Sequence, residues 1–166
     1  MRKKTIFFFL KKMRTHLVGP SDILAYCLMP NHFHWLLYTK GYSNKKADLE
    51  QLNLQIGTLL SSYTKAMNKR YNRKGSLFQQ ETKSVWIKSN VQLQTCLHYI
   101  HQNPIRSGLV TYLGKWVYSS YPDYTGQRNG TLVAKELTLD MLSLDKRSMI
   151  EASKKALDPK KIKNLF

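Results

Sequence analysis

Two apolar runs, "ILAYCLMP" and "HFHWLLYT", meet at Pro30 and Asn31. Each reads as a strand, with that pair making a tight link between them. Alternation along the second run sets His32, His34 and Leu36 on one face and Phe33, Trp35 and Leu37 on the other. With both faces occupied, it reads as the central strand of a covered sheet. The two imidazoles then point the same way, about 6 to 7 Å apart from the strand rise. That spacing suits two ligands of one divalent ion. Taken alone, a His-x-His pair is more often two structural rings than a metal site.

Helical periodicity governs much of the rest. Residues 5 to 17 carry Phe8, Phe9, Met13 and Leu17 near one stripe, and Gly19 and Pro20 break the run. From Ala47 to about Asn72, apolar positions from Leu49 through Leu52, Ile56, Leu59, Tyr63 and Met67 recur at three- and four-residue steps. Gly75 is expected to end that helix. "SLFQQETKSVWI" is a strand or hairpin candidate. A further helix starts at Ser89 or Asn90 and runs through "VQLQTCLHYIHQN", with Pro104 expected to stop it. "KWVYSSYPDYTGQRNG" reads as an irregular aromatic segment, and residues 136 to 166 as one or two short basic helices. No repeat and no linker divides the chain.

Charge narrows the function. Lys and Arg number 27 against 10 Asp and Glu, a formal net charge of +17 over 166 residues. Such an excess opposes compaction and favours a polyanion, nucleic acid first. Ten tyrosines and three tryptophans supply flat surfaces for unpaired bases, although most aromatics in any protein are core. Cys27 and Cys96 form no motif, which fits a reducing cytoplasmic setting and argues against thiolate zinc. "MRKKTIFFFLKKM" is too short in its apolar part for a signal peptide, and no run suffices to span a bilayer. HExxH, DxD, Gly-rich phosphate-loop and Gly-x-Ser-x-Gly patterns are all missing, so nucleotide hydrolysis and serine catalysis are disfavoured.

Tyr99 and Asn103 stand one helical turn apart, just before Pro104. Asn103 offers a carbonyl oxygen to a hard cation. Tyr99 offers a phenol, a poor nucleophile at neutral pH unless a cation or base assists it. A metal held by two histidines and an amide would align a phosphodiester for attack by Tyr99. The plainer reading is a half-buried tyrosine on an amphipathic helix. His98 and His101 lie about 100° and 200° from Tyr99 around the helix, so neither is counted as a ligand.

As a set, these residues resemble a known family. "YCLMPNHFHWLL" is similar to the HUH signature of single-tyrosine HUH transposases, closest to REP-associated tyrosine transposases of the IS200-like group. "GSLFQQETKS", "YIHQNPIRSGLV" and "WVYSSYPDY" follow in the order that family shows, and the likeness spans roughly residues 5 to 125. The resemblance implies an α+β fold, a ferredoxin-like sandwich whose antiparallel sheet carries HUH with helices packed on one face. It implies His32, His34 and Asn103 as ligands of Mg²⁺ or Mn²⁺, and Tyr99 as the nucleophile. The chemistry implied is cleavage and rejoining of single-stranded DNA near hairpins through a 5′-phosphotyrosine. Family members begin with a strand before the first helix. Here either "KTIFFFL" is that strand or it is missing, which would leave an unpaired sheet edge.

Residues 1–130 are expected to form the HUH domain and 131–166 a basic helical tail. Lys69, Arg70, Arg73, Lys74 and Arg106 are candidate phosphate contacts, and Gln79 or Gln80 candidate readers of base edges. Trp116, Tyr118 and Tyr121 are candidate stacking groups. The expected partner is single-stranded or hairpin DNA, with no membrane and no small-molecule cofactor, and with the protein a monomer or homodimer. Two alternatives stand beside the active enzyme: a DNA-binding protein of the same descent that no longer cuts, and an unrelated basic module with structural histidines.

Overall fold

The computed structural model describes residues 3–39, 45–78, 82–155, 157 and 162. They form α1 (Lys3–Leu17), β1 (Ser21–Leu28), β2 (Phe33–Thr39), α2 (Lys45–Tyr71) and α3 (Asn90–Arg106). After these come a 3₁₀ turn at Leu113–Lys115 and three short helices, α4 (Tyr121–Thr125), α5 (Lys135–Leu142) and α6 (Lys146–Lys154). The fold divides into two compact units, each assembled from two stretches: Met1–Asp22 with Tyr38–Ser84, and Ile23–Leu37 with Val85–Phe166.

The first unit is a pair of packed helices, α1 on α2. Its apolar stripe buries Ile6, Phe9, Met13 and Leu17 of α1 with Leu52, Leu59, Tyr63 and Met67 of α2. Phe9 meets the Tyr63 ring edge-on with centroids 4.8 Å apart, a favoured geometry for aromatic pairs. Residues 4 to 10, the place considered for the family's first strand, are helical. The stripe explains why: Ile6, Phe9 and Met13 recur at helical steps, and a strand would have split them between two faces. α2 stops at Asn72, which takes the left-handed conformation with φ of 48°. Asparagine tolerates that conformation and so ends the helix three residues before Gly75, the position expected from sequence.

The second unit holds the hairpin. A four-residue link with Met29 N donating to His32 O can join β1 and β2 only as antiparallel neighbours. An α+β arrangement is therefore present, and among the described residues the sheet has two strands. β2 is not the covered central strand that its alternation suggested. It is half-buried along most of its length, whereas β1 is buried at seven of its eight positions. The reason lies on the far side of β1. Leu28 N donates to Tyr118 O, Ser120 N donates to Tyr26 O, and Ala134 N donates to Ile23 O, so β1 has neighbours on both edges.

Two further expectations need correction. Residues 82–88 take no regular secondary structure, so that part of "SLFQQETKSVWI" forms neither strand nor hairpin, and residues 79–81 lie outside the described residues. The aromatic segment is more regular than expected, since it follows directly on the 3₁₀ turn and contains α4. The segment's position is fixed by an ion pair that sequence patterns do not show. Arg128 places two N–H groups on the Asp123 carboxylate, both at 2.7 Å, and donates to Val117 O, Ser119 O and the Tyr26 hydroxyl. Asp123 is buried and also accepts from Gly130 N. α5 and α6 pack on α3 within this unit.

Candidate active site

α3 carries Tyr99, the candidate nucleophile, and its start is set by sequence. The Ser89 hydroxyl accepts from Gln92 N at 3.2 Å while the Gln92 carbonyl accepts from Lys88 N at 2.9 Å, a reciprocal arrangement close to a capping box. Leu93, Leu97 and Ile100 form the buried stripe. Pro104 does not end the helix, contrary to expectation. Proline removes one donor so near the C-terminus that α3 continues to Arg106. It stops in a Schellman motif, with Gly108 at φ of 67°, Gly108 N donating to Ile105 O and Leu109 N donating to Pro104 O.

Three of the sequence-selected side chains meet at one point in the second unit. The His32 and His34 rings lie 5.0 Å apart between centroids, nearly perpendicular. The His34 ring lies 5.6 Å from the Tyr99 ring, again edge to face. His32 is exposed, and its Nδ1 is 2.7 Å from Asn31 Oδ1. With that oxygen accepting, Nδ1 carries a proton, which makes Nε2 the nitrogen that the neutral ring would offer to a ligand. His34 Nε2 is buried with no hydrogen-bond partner. Burial, and then the neighbouring His32, push the His34 pKa down to about 4, so its ring is neutral at physiological pH. A neutral imidazole with a buried, unpartnered nitrogen fits a metal ligand.

Asn103 is buried one turn along from Tyr99, and its Nδ2 is 3.5 Å from Tyr99 O, the outer limit for a hydrogen bond. The amide is therefore weakly held. Among the described residues no group of three or more His, Cys, Asp or Glu side chains is placed to hold a metal ion. Arg106, in the last turn of α3, holds its guanidinium 5.8 Å from the centroid of the Tyr99 ring. It is a candidate phosphate contact from the same unit and the same helix as the tyrosine. Lys69, Arg70, Arg73 and Lys74 are exposed at the end of α2 in the first unit. Gln79 and Gln80 lie outside the described residues. Of the stacking candidates, Tyr121 is buried and Trp116 donates from Nε1 to Leu28 O at 3.1 Å, so both serve packing.

The two histidines set aside because of their angle on α3 face the interior. His98 Nδ1 meets Ser153 Oγ on α6 at 2.9 Å, and His101 Nε2 meets Ser120 Oγ at 2.9 Å. Burial lowers their pKa values to about 4 and about 3, with His98 adding to the effect on His101. Ser120 also accepts from Tyr26 N on β1. The helix and the strand pair are thereby tied through one hydroxyl. This positioning role could not be found in sequence, because its partners come from three separate stretches.

A histidine pair at the start of a strand, His32 just before β2 and His34 within it, facing a tyrosine on a helix is the arrangement expected of a single-tyrosine HUH site. The chain is 27% identical over 105 residues to a Haemophilus influenzae protein named "Putative REP-associated tyrosine transposase". The alignment covers 61% of this chain and 60% of that relative's length. The likeness to REP-associated tyrosine transposases read from the motifs is therefore borne out. No family model and no solved structure matches the chain.

Proposed function

We propose that this protein is a DNA transposase of the single-tyrosine type, cutting and rejoining single-stranded DNA beside hairpins. The observation that carries the reading is the approach of the His34 and Tyr99 rings, 5.6 Å apart, from a strand and a helix far apart in sequence. In the forward step the Tyr99 oxygen forms a bond to phosphorus while the bond from phosphorus to the 3′ oxygen breaks. The tyrosine proton leaves and the 3′ oxygen ends as a hydroxyl. Reversal rejoins strands without external energy, since the phosphotyrosine conserves the bond. Arg106 draws a phosphate toward the tyrosine ring.

His32, His34 and Asn103 would hold Mg²⁺ or Mn²⁺, which when bound supplies charge neutralisation at the phosphate. The Asn31 amide orients His32, and the pocket around His34 keeps that ring neutral. On this reading the hairpin is part of a ferredoxin-like α+β sandwich. The protein works in the cytoplasm as a monomer or homodimer. Among the described residues no helix is long and apolar enough to cross a membrane.

The test mixes the protein with single-stranded hairpin oligonucleotides and Mg²⁺ or Mn²⁺, then resolves the products on a denaturing gel. A covalent protein–DNA band that disappears in Tyr99→Phe is expected. No band across ions and hairpins would remove the enzymatic reading and leave a DNA-binding protein of the same descent. A band that survives Tyr99→Phe would mean another nucleophile.

A further inference from the structure

On the side of α3 turned toward α6, the second unit contains a cleft of about 700 Å³. That is within the size range of ligand sites. We propose that this cleft receives one unstacked base of single-stranded DNA, with the adjoining phosphate on Arg106, an inference that rests on the DNA-binding part of the reading above.

Four observations carry it. Tyr112 lines the cleft and is 59% exposed, although an aromatic ring left in water gains nothing from packing. Gln127 also lines it, and among the described residues its carboxamide makes no hydrogen bond, which leaves a donor and an acceptor side by side. Gly114 provides the space for that amide, because a Cβ there would come within 2.7 Å of both Gln127 Nε2 and Oε1. Finally, Arg106 lines the cleft and also lies beside the Tyr99 ring, so one cation borders both places. A ring to stack on, an amide to pair with a base edge and a guanidinium for phosphate together match a nucleotide. A purely apolar ligand would use neither the amide nor the cation.

The test uses a Tyr99→Phe background, so cutting plays no part, and follows binding by fluorescence anisotropy. The probes are a labelled oligo-dA and an abasic strand of the same length. Tyr112→Ala should weaken oligo-dA binding about tenfold and leave the abasic strand within about twofold, since stacking requires a base. Ultraviolet cross-linking of oligo-dA should label the peptide containing Tyr112. Gly114→Ala moves only the flexible end of Gln127, so the protein folds, and it should weaken oligo-dA several-fold with no effect on the abasic strand. Equal losses for both strands, or no loss for either, would overturn the cleft as a base site. A covalent adduct formed by the Tyr99 enzyme despite that result would leave the proposed reaction standing. Base-dependent binding without any adduct would do the reverse.

Discussion

The two units use opposite means to hold their shape. The first is mainly an apolar zipper: Ile6, Phe9, Met13 and Leu17 against Leu52, Leu59, Tyr63 and Met67, its buried polar contacts including the Tyr63 hydroxyl on Thr5 O at 3.4 Å and the Ser21 hydroxyl on Leu17 O at 2.9 Å. The second buries polar machinery in its centre: Asp123, His98, His101, Gln102, Asn103, Ser119 and Ser120 all lie below the surface. Apolar stripes tolerate substitution as long as volume is kept. Buried polar groups need each partner in place, since an unpaired one keeps its full desolvation cost. The unit that carries the candidate chemistry is thus the one that tolerates least geometric error. A reacting tyrosine and its neighbours need that precision.

The largest effect expected from breaking this contrast is chemical. In the proposed reaction Tyr99→Phe removes the attacking oxygen, so strand cleavage on a hairpin substrate should fall by at least about a thousandfold. Its melting temperature should move little, because Tyr99 is half-buried and the phenyl ring remains. A loss of folding alongside the loss of cleavage would assign Tyr99 to structure.

Stability effects come next, and they separate the units. Arg128→Ala leaves the Asp123 carboxylate buried with only Gly130 N and water to face it, at a cost of about 3 kcal/mol. The low end of the range for such pairs applies, since the Arg128 side chain is 34% exposed. Leu59→Ala in the first unit opens a cavity at a fully buried site and should cost about 2 to 5 kcal/mol. Leu59→Met should restore most of it, because volume suffices there. Arg128→Lys should not, because a single ammonium cannot reproduce the forked contact with both carboxylate oxygens. Urea denaturation of the four variants decides whether repair by volume works in one unit and fails in the other.

Acid should weaken the second unit through its histidines. His98 and His101 have folded pKa values near 4 and 3, below the ordinary 6.5. The unfolded chain therefore takes up protons first. Their contribution is whole above about pH 6.5 and is lost as pH falls toward those folded values. Thermal unfolding between about pH 7 and about pH 4.5 should show a falling midpoint, and His98→Asn should reduce the fall. A slope unchanged in that variant would place the acid sensitivity elsewhere.

Sequence patterns revealed what depends on near neighbours along the chain. The hairpin, the stripes of α1 and α2, a cap at Ser89 or Asn90 and the placement of His98 and His101 off the Tyr99 face all follow from spacing. Alternation along β2 could not say which strand is covered, because cover comes from residues 118–120 and 134 lying along β1. Pro104 misled because its penalty depends on how many helical bonds follow it, and here few do. Arg128 looked like one more cation among many, yet its donors are spent on Asp123 and on carbonyls of the chain. Tyr112, Gly114 and Gln127 carry no motif and become a group only when the loop after α3 folds back.

The same distinction between spent and available cations gives the smallest expected effect. Lys69, Arg70, Arg73 and Lys74 are exposed at the end of α2, where Arg70 also lies 5.8 Å from the Tyr71 ring centroid. In the proposed DNA complex each acts as a solvated charge near a phosphate. Any one of them changed to alanine should weaken binding of a single-stranded oligonucleotide by about two- to threefold. The salt dependence of binding should become shallower by less than about one ion. Arg106→Ala should cost more, because its guanidinium is fixed between the tyrosine and the cleft. Measured across a salt series, a larger loss at Lys74 than at Arg106 would invert the comparison. The first unit would then hold the principal phosphate contacts, and the polar core of the second would serve only the strand-cutting step.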